Sequence, residues 1–208
     1  MELPLTEVLL LARVCACVAL RKDRMLRNEI QRAIAAGLSV PRIREAILQS
    51  YLFAGYAAAI NAFVVLNKIA PEDFRFLREE GHPSLSKWTA RGEVLCRKIY
   101  GSQYERLFHN MKQIHPDLAD WMLSEGYGKV LSRPFLSTRV RELLIVGMTA
   151  VLNVERQFHS HIKGALHVGA TKKELQAVLR AMKPLIPPPV FLRFKELLKE
   201  LTAQTPSG

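Results

Sequence analysis

The chain has 208 residues, of which 49% are hydrophobic, and a formal net charge of +11. This length fits one large domain or two small ones, with enough apolar residues for a core. No window offers ~20 uninterrupted apolar residues, which argues against a membrane-spanning helix. Lys and Arg are spread along the chain without a long basic block. A solvated basic surface is therefore favoured over a nucleic-acid interface, and an anionic small-molecule substrate also fits the charge.

The cysteine content indicates the compartment and the redox chemistry. Cys15, Cys17 and Cys96 form an odd and sparse set. Such a set argues against a disulfide framework and for a reducing compartment, so we expect a cytoplasmic protein. Cys15 and Cys17 would point to different faces of a helix, which favours small core residues over a metal or redox pair. We accordingly predict no metal and no cofactor.

Helix punctuation is frequent, and no alternating strand pattern is present, so the sequence predicts an all-α fold. The apolar stretch at 3–20 opens after Glu2 and contains Arg13, which predicts a buried first helix rather than a secretory signal. Further helices are predicted at 23–36, 39–53, 56–70, 138–152, 154–168, 171–182 and 191–201, with N-caps at Asp23, Ser39, Asn153 and Thr171 and stops at Gly37, Gly55 and Gly169.

The middle segment, 72–134, is more polar and is predicted to hold several shorter helices. Its predicted breaks are Gly81-His82-Pro83, Gly101, His115-Pro116 and Gly126-Tyr127-Gly128.

The two ends of the chain resemble each other. Shifted by 132 residues they overlay without a gap, so that Leu143 falls on Leu11, Gly169 on Gly37 and Thr171 on Ser39. Agreement of cap, stop and apolar positions predicts two internal repeats of one helical unit. The predicted organisation, within one compact domain, is a first helical repeat at 1–70, a helical linker segment at 71–136, and a second repeat with a C-terminal helix at 137–208.

Glu142 and His161 are the candidates for chemistry. They lie eleven residues before and eight residues after Asn153, where two helices meet in a tight turn. At ~1.5 Å rise per residue, both side chains stand ~12–16 Å from the turn and could face each other between apolar helix faces. Such a pair could transfer protons. The alternative is a structural ion pair or a core histidine. The first repeat has Leu10 and Glu29 at these positions, so a site would not be duplicated.

Several motifs of the chain form a recognisable set. They are Arg141-Glu142-Leu143, the run from Phe158 to Leu166, the run from Gly169 to Glu174, the stretch from Tyr127-Gly128 to Arg133-Pro134, and Phe53-Ala54-Gly55-Tyr56 with Asn61. Together they resemble the carboxymuconolactone decarboxylase family. That resemblance implies an all-helical, AhpD-like fold, assembled as a trimer or hexamer.

The resemblance also separates two activities. In the redox branch of the family a Cys-x-x-Cys pair lies between the Glu and the His, but Val154 and Gln157 hold those positions here. A dithiol peroxidase cycle at this site is thereby excluded. The decarboxylase branch needs no cysteine.

The decarboxylase branch therefore implies a cofactor-free acid/base lyase or isomerase acting on a small carboxylated lactone or related acid. Catalysis would fall to His161 and Glu142, and substrate binding to Arg141, Tyr56 and Asn61. Ala57 stands where the family pattern leads us to expect proline. The rival hypothesis is a non-catalytic oligomeric scaffold or small-ligand-binding protein of the same fold.

Overall fold

The computed structural model describes residues 2–71 and 83–203, which form helices and turns without a strand. The predicted all-α class is confirmed. Within these residues no helix is both long and apolar enough to cross a membrane. The helices are α1 Leu5–Ala19, α2 Asp23–Ala35, α3 Val40–Ala54, α4 Tyr56–Ile69, α5 Leu85–Tyr100, α6 Tyr104–Ile114, α7 Pro116–Trp121, α8 Thr138–Val151, α9 Glu155–His167, α10 Lys172–Met182 and α11 Pro188–Ala203.

The chain divides into two compact units, Met1–Glu72 with Phe135–Gly208, and Asp73–Pro134. In the first unit α1 and α8 pack against each other at the centre. Both helices are apolar around most of their circumference, as a helix enclosed by protein must be. Helices α2 and α3 pack on α1, and α9 and α10 pack on α8, while α4 and α11 lie against the outer helices at each end.

The helix bounds follow the shift found in the sequence. Helices α2 and α9 begin and end 132 residues apart. The residues with left-handed backbone follow the same shift, with φ of 54° at Arg21 and 58° at Asn153, and 87° at Gly37 and 92° at Gly169. These bounds agree with the internal repeat, which stays a prediction, as does the division into two repeats and a linker.

Two predicted N-caps are wrong by one residue. Lys22 is the N-cap of α2 and Val154 that of α9, so Asp23 already lies in the first turn. Asn153 instead follows the C-cap of α8 with a left-handed backbone, a conformation that Asn tolerates better than most side chains. Its side-chain oxygen accepts a hydrogen bond from Arg193 of α11.

The other predicted caps stand where expected. Ser39 is the N-cap of α3, although its side chain makes no capping hydrogen bond. Thr171 caps α10 through a reciprocal capping box with Glu174. Burial acts to raise the pKa of Glu174, but hydrogen bonds from Thr171 and Arg139 outweigh it and hold that pKa below its usual value.

In the second unit α5 packs along a π-helix at Met122–Leu131. The break predicted at Gly126-Tyr127-Gly128 is therefore wrong. Gly128 serves close packing instead, since a Cβ there would lie 1.9 Å from the Trp88 carbonyl oxygen. Of the break predicted at Gly81-His82-Pro83, Gly81 and His82 lie outside the described residues. Helix α11 starts at Pro188, three residues before the predicted start, because proline is tolerated in a first turn.

Candidate active site

Glu142 and His161 meet between two antiparallel helices. Glu142 lies on α8 and His161 on α9, and the turn between the helices is short enough to place the two side chains at similar height. The His161 Nδ1 atom stands 2.9 Å from Glu142 Oε2, a hydrogen-bond distance. With Glu142 as a carboxylate, which can only accept, Nδ1 carries the proton and donates. The second imidazole nitrogen, Nε2, is then the acceptor.

The two ends of this pair differ in access. The Glu142 residue is 1% exposed, and its Oε1 atom is buried without a hydrogen-bond partner among the described residues. The His161 residue is 8% exposed. Its Nε2 atom makes no hydrogen bond to any described residue. Unlike Glu142 Oε1, this atom is not fully buried. The carboxylate is therefore enclosed, whereas the imidazole keeps one nitrogen within reach of solvent or a ligand.

A third element contacts the imidazole. Phe53, near the end of α3, packs edge-on against the His161 ring with 5.6 Å between ring centroids and 76° between the planes. Such edge contacts fix the plane of the imidazole as well as bury it. The contact brings the Phe53-Ala54-Gly55-Tyr56 segment to the site. Tyr56, the first residue of α4, is 63% exposed and contacts the Tyr51 ring at a centroid distance of 4.9 Å.

Arg141 is 1% exposed and lies within a buried polar cluster rather than beside His161. Its guanidinium donates to Glu45 Oε2 at 3.0 Å and to Gln49 Oε1 at 3.1 Å, both on α3. Gln49 in turn donates to the Arg141 carbonyl at 3.5 Å. A guanidinium engaged in this way holds α8 against α3. Binding of a substrate carboxylate by Arg141 stays a prediction that this geometry disfavours.

Among the described residues, no hydrogen bond joins Asn61 to Glu142 or His161. Asn61 lines an open groove of about 410 Å³ between α2 and α4, together with Asp23, Arg24, Arg27, Val64, Val65 and Lys68. The structure thus brings Glu142 and His161 together and adds Phe53, while Arg141 and Asn61 take other surroundings. The role of Asn61 in substrate binding also stays a prediction.

Cys15, Cys17 and His159 make no hydrogen bond or ring contact with the Glu142–His161 pair in the described part of the chain. Cys15 and Cys17 are buried on α1, and burial raises the pKa of the Cys15 thiol to about 12 and that of the Cys17 thiol to about 11. Thiols with such pKa values are poor nucleophiles. His159 is half-buried, and burial followed by the charge of Lys163 lowers its pKa. Across 2–71 and 83–203, no three His, Cys, Asp or Glu residues are grouped to hold a metal ion.

Sequence reasoning missed Glu45 and Gln49, and it named Phe53 only within a family motif, without a role at the site. All three lie on α3, more than ninety residues before their partners on α8 and α9. Helical periodicity assigns each of them to a buried or half-buried face but does not name a partner on a distant helix. The one available signal was the polar character of Glu45 and Gln49 at core-facing positions of α3, because buried polar groups need partners.

Glu142 and His161 lie within the segment of the chain that matches a known protein family. Residues 116–198 match the sequence model of the Carboxymuconolactone decarboxylase family, and this segment contains Arg141, Glu142 and His161. The predicted resemblance is confirmed, and the all-α fold agrees with it.

Two relatives share more of the chain. Peroxisomal protein 2 of Schizosaccharomyces pombe is 30% identical over 138 residues, which cover 66% of this chain and 65% of the relative. Peroxisomal protein 2 of Saccharomyces cerevisiae is 23% identical over 76% of this chain and 65% of the relative. The matched part of this chain therefore spans just under two thirds of the length of each relative.

Proposed function

Because the chain matches the carboxymuconolactone decarboxylase family at residues 116–198, we propose that it is a cofactor-free acid/base lyase or isomerase. The observation that carries the proposal is the 2.9 Å contact between His161 Nδ1 and the enclosed Glu142 carboxylate, which leaves His161 Nε2 as the accessible nitrogen. The substrate class is a small carboxylated lactone or a related acid.

In this proposal the imidazole of His161 exchanges protons at Nε2, and Glu142 holds the other side of the ring. Glu142 accepts a hydrogen bond from Nδ1–H and thereby fixes the tautomer in which Nε2 bears the lone pair. When Nε2 takes a proton, the nearby carboxylate stabilises the imidazolium. Phe53 restricts rotation of the ring, so Nε2 keeps one direction. His161 is thus the acid/base, and Glu142 orients it and balances its charge.

In the decarboxylation, the bond between the carboxylate carbon and the ring carbon breaks. Carbon dioxide leaves, and the electron pair of that bond stays on the ring carbon, where the lactone carbonyl delocalises it. His161, which takes up a proton from solvent at Nε2 before this step, then donates that proton to the carbon framework and returns to neutral imidazole. The reverse use, removal of a proton from a carbon beside a carbonyl, gives isomerisation with the same residue.

Carbon dioxide release and the ultraviolet change of 4-carboxymuconolactone test this proposal with the purified full chain. Turnover above the spontaneous rate supports a lyase. Loss of the ultraviolet band without carbon dioxide supports an isomerase on the same scaffold. If a panel of carboxylated lactones and related acids gives neither signal at high protein concentration, the enzyme proposal fails.

The exposed apolar residues of α4 support a second candidate, a non-catalytic oligomeric scaffold or small-ligand-binding protein. Tyr56, Ile60 and Val64 lie four residues apart and are 63%, 59% and 49% exposed, so they form one apolar stripe on α4. Such a stripe suits contact with another copy in a trimer or hexamer.

Light scattering of wild type and of an Ile60→Lys, Val64→Lys variant decides whether the stripe assembles copies. A smaller particle for the variant supports the contact through α4. An unchanged trimer or hexamer contradicts it, and a monomeric wild type removes the oligomer altogether.

The compartment is a separate proposal. Cysteine usage supports the cytoplasm, whereas the names of both relatives contain the word peroxisomal. Fluorescence microscopy of the full chain tagged at either end, beside markers of each compartment, distinguishes the two. A diffuse signal supports the cytoplasm, and a punctate signal that overlaps the peroxisomal marker contradicts it.

A further inference from the structure

A second groove, of about 440 Å³, lies between α10 and α11. Three buried apolar side chains form its floor: Leu179 of α10, and Phe191 and Leu198 of α11. Its volume falls within the ~300–1,000 Å³ typical of small-molecule sites. The groove shares none of its lining residues with the Glu142–His161 pair or with the groove that contains Asn61.

Four exposed cations line the same groove: Arg180, Lys183, Lys195 and Lys199. Lys195 and Lys199 lie four residues apart on one helix, where like charges repel. Arg180 and Lys183 add two more positive charges from the other side.

Carboxylates do little to neutralise this rim. In the described part of the chain, no carboxylate forms an ion pair with Arg180, Lys183 or Lys195. Lys199 stands 3.6 Å from Glu196, and both side chains are largely exposed, so solvent screens that pair. The groove therefore concentrates positive charge above an apolar floor, and an anion would relieve the repulsion between its cations.

We propose that this groove binds a small anionic amphiphile, a molecule with a phosphate or carboxylate head on a short apolar body. The Lys183 ammonium stands 5.9 Å from the centre of the Phe191 ring, which places a cation directly beside the floor. The anionic head of such a ligand could contact Lys183 while its apolar tail contacts the adjacent floor at Phe191. Gln176 adds a neutral amide to the lining for a further hydrogen bond to the head. The proposal does not rest on the proposed lyase.

Calorimetric titration of the full chain with octyl phosphate, kept below its micelle concentration, tests the proposal. Octyl glucoside and inorganic phosphate are the matched probes, since one has the tail without the charge and the other the charge without the tail. We expect binding of octyl phosphate at least about tenfold tighter than that of either probe, and weakening as salt rises. Equal binding of octyl glucoside or of inorganic phosphate would overturn the proposal.

Charge variants on the surface locate the site. Arg180→Glu with Lys195→Glu reverses two rim charges, and Lys172→Glu with Lys173→Glu makes the same charge change at exposed residues outside the groove. We expect the rim variant to lose roughly tenfold or more in affinity and the control to stay within about twofold. Matched melting curves show whether both variants fold. Equal losses in the two variants would mean that net charge, and not the groove, attracts the ligand.

A vesicle assay separates a free ligand from a membrane surface. Vesicles of phosphatidylcholine with phosphatidic acid present the same phosphate head in a bilayer. Binding to octyl phosphate that the rim variant weakens supports the small-molecule site, with or without vesicle binding. Binding to the vesicles alone, without binding to octyl phosphate, contradicts it.

Discussion

Arg141 and Glu142 are consecutive residues of α8, and their side chains engage different helices. Arg141 binds Glu45 and Gln49 of α3, whereas Glu142 meets His161 of α9. Successive side chains of a helix point ~100° apart, so one turn of α8 can serve both neighbours. The buried cluster around Arg141 therefore holds the helix that carries Glu142 against α3.

Arg141→Met tests this structural role. The change removes the guanidinium that contacts Glu45 and Gln49 inside the buried cluster, which should lower the free energy of unfolding by ~3–5 kcal/mol. Lys199→Met is the control, because its ion pair with Glu196 is exposed and should contribute less than ~1 kcal/mol. Urea unfolding followed by circular dichroism measures both. Similar small decreases in the free energy of unfolding of the two variants would show that Arg141 does not stabilise the packing of α8 on α3.

Gly92→Ala tests the close packing of α5 on the π-helix. A Cβ at residue 92 would lie 1.8 Å from the Leu123 carbonyl oxygen, whereas at Gly126 the nearest such atom is 4.0 Å away. We expect Gly92→Ala to lower the free energy of unfolding by at least ~3 kcal/mol and Gly126→Ala to change it by under ~1 kcal/mol. Hydrogen exchange of 85–100 and 122–131 measures the local effect. Equal protection in the two variants would contradict the close approach.

The buried thiols predict a dependence of stability on pH. Burial raises the pKa of Cys15 to about 12 and of Cys17 to about 11, above the ordinary 9.0, so the folded state favours the neutral thiols. Their contribution to stability is complete below pH 9 and is lost as pH rises towards the folded values. Relative to a Cys15→Ala, Cys17→Ala variant, wild type should therefore lose stability faster between pH 9 and 11. Parallel stability curves would contradict this.

A thiol titration checks the same burial directly. Ellman's reagent at pH 8 should label almost none of the three cysteines in the folded chain and all of them in guanidinium chloride. Rapid labelling of the native chain would mean that α1 or α5 opens readily.

Glu142→Gln separates orientation from binding. Glu142 is enclosed and contacts His161 rather than the accessible side of the site, so its loss should act through the imidazole. We expect kcat to fall by roughly 10²-fold or more, with KM within a few fold. Glu155→Gln, an exposed glutamate at the start of α9, is the control and should change neither. A rise in KM alone would contradict the orienting role.

The central pair could be predicted from the sequence because it depends on local geometry. Two helices joined by a tight turn place residues at similar distances from that turn side by side, and Glu142 and His161 satisfy this count. The caps are less certain, since Asn suits both a helix start and a left-handed helix end. At Asn153 the second role prevails.

The partners of Arg141 could not be predicted in this way. Glu45 and Gln49 lie 96 and 92 residues earlier in the chain, and only the packing of α3 on α8 brings them to it. The same limit applies to Phe53 beside His161. The roles of Gly92 and Gly128 in close packing could not be predicted either. In a sequence, a glycine that permits close packing looks the same as one that breaks a helix.

Carbon dioxide release from 4-carboxymuconolactone by wild type, His161→Gln and His159→Gln tests the central claim most directly. His159 lies two residues from His161 on α9, is half-buried and does not contact Glu142, so it controls for the loss of a histidine. We predict turnover by wild type and His159→Gln, and a loss of roughly 10²–10⁴-fold in a folded His161→Gln. Full turnover by His161→Gln would contradict the assignment of His161 as the acid/base.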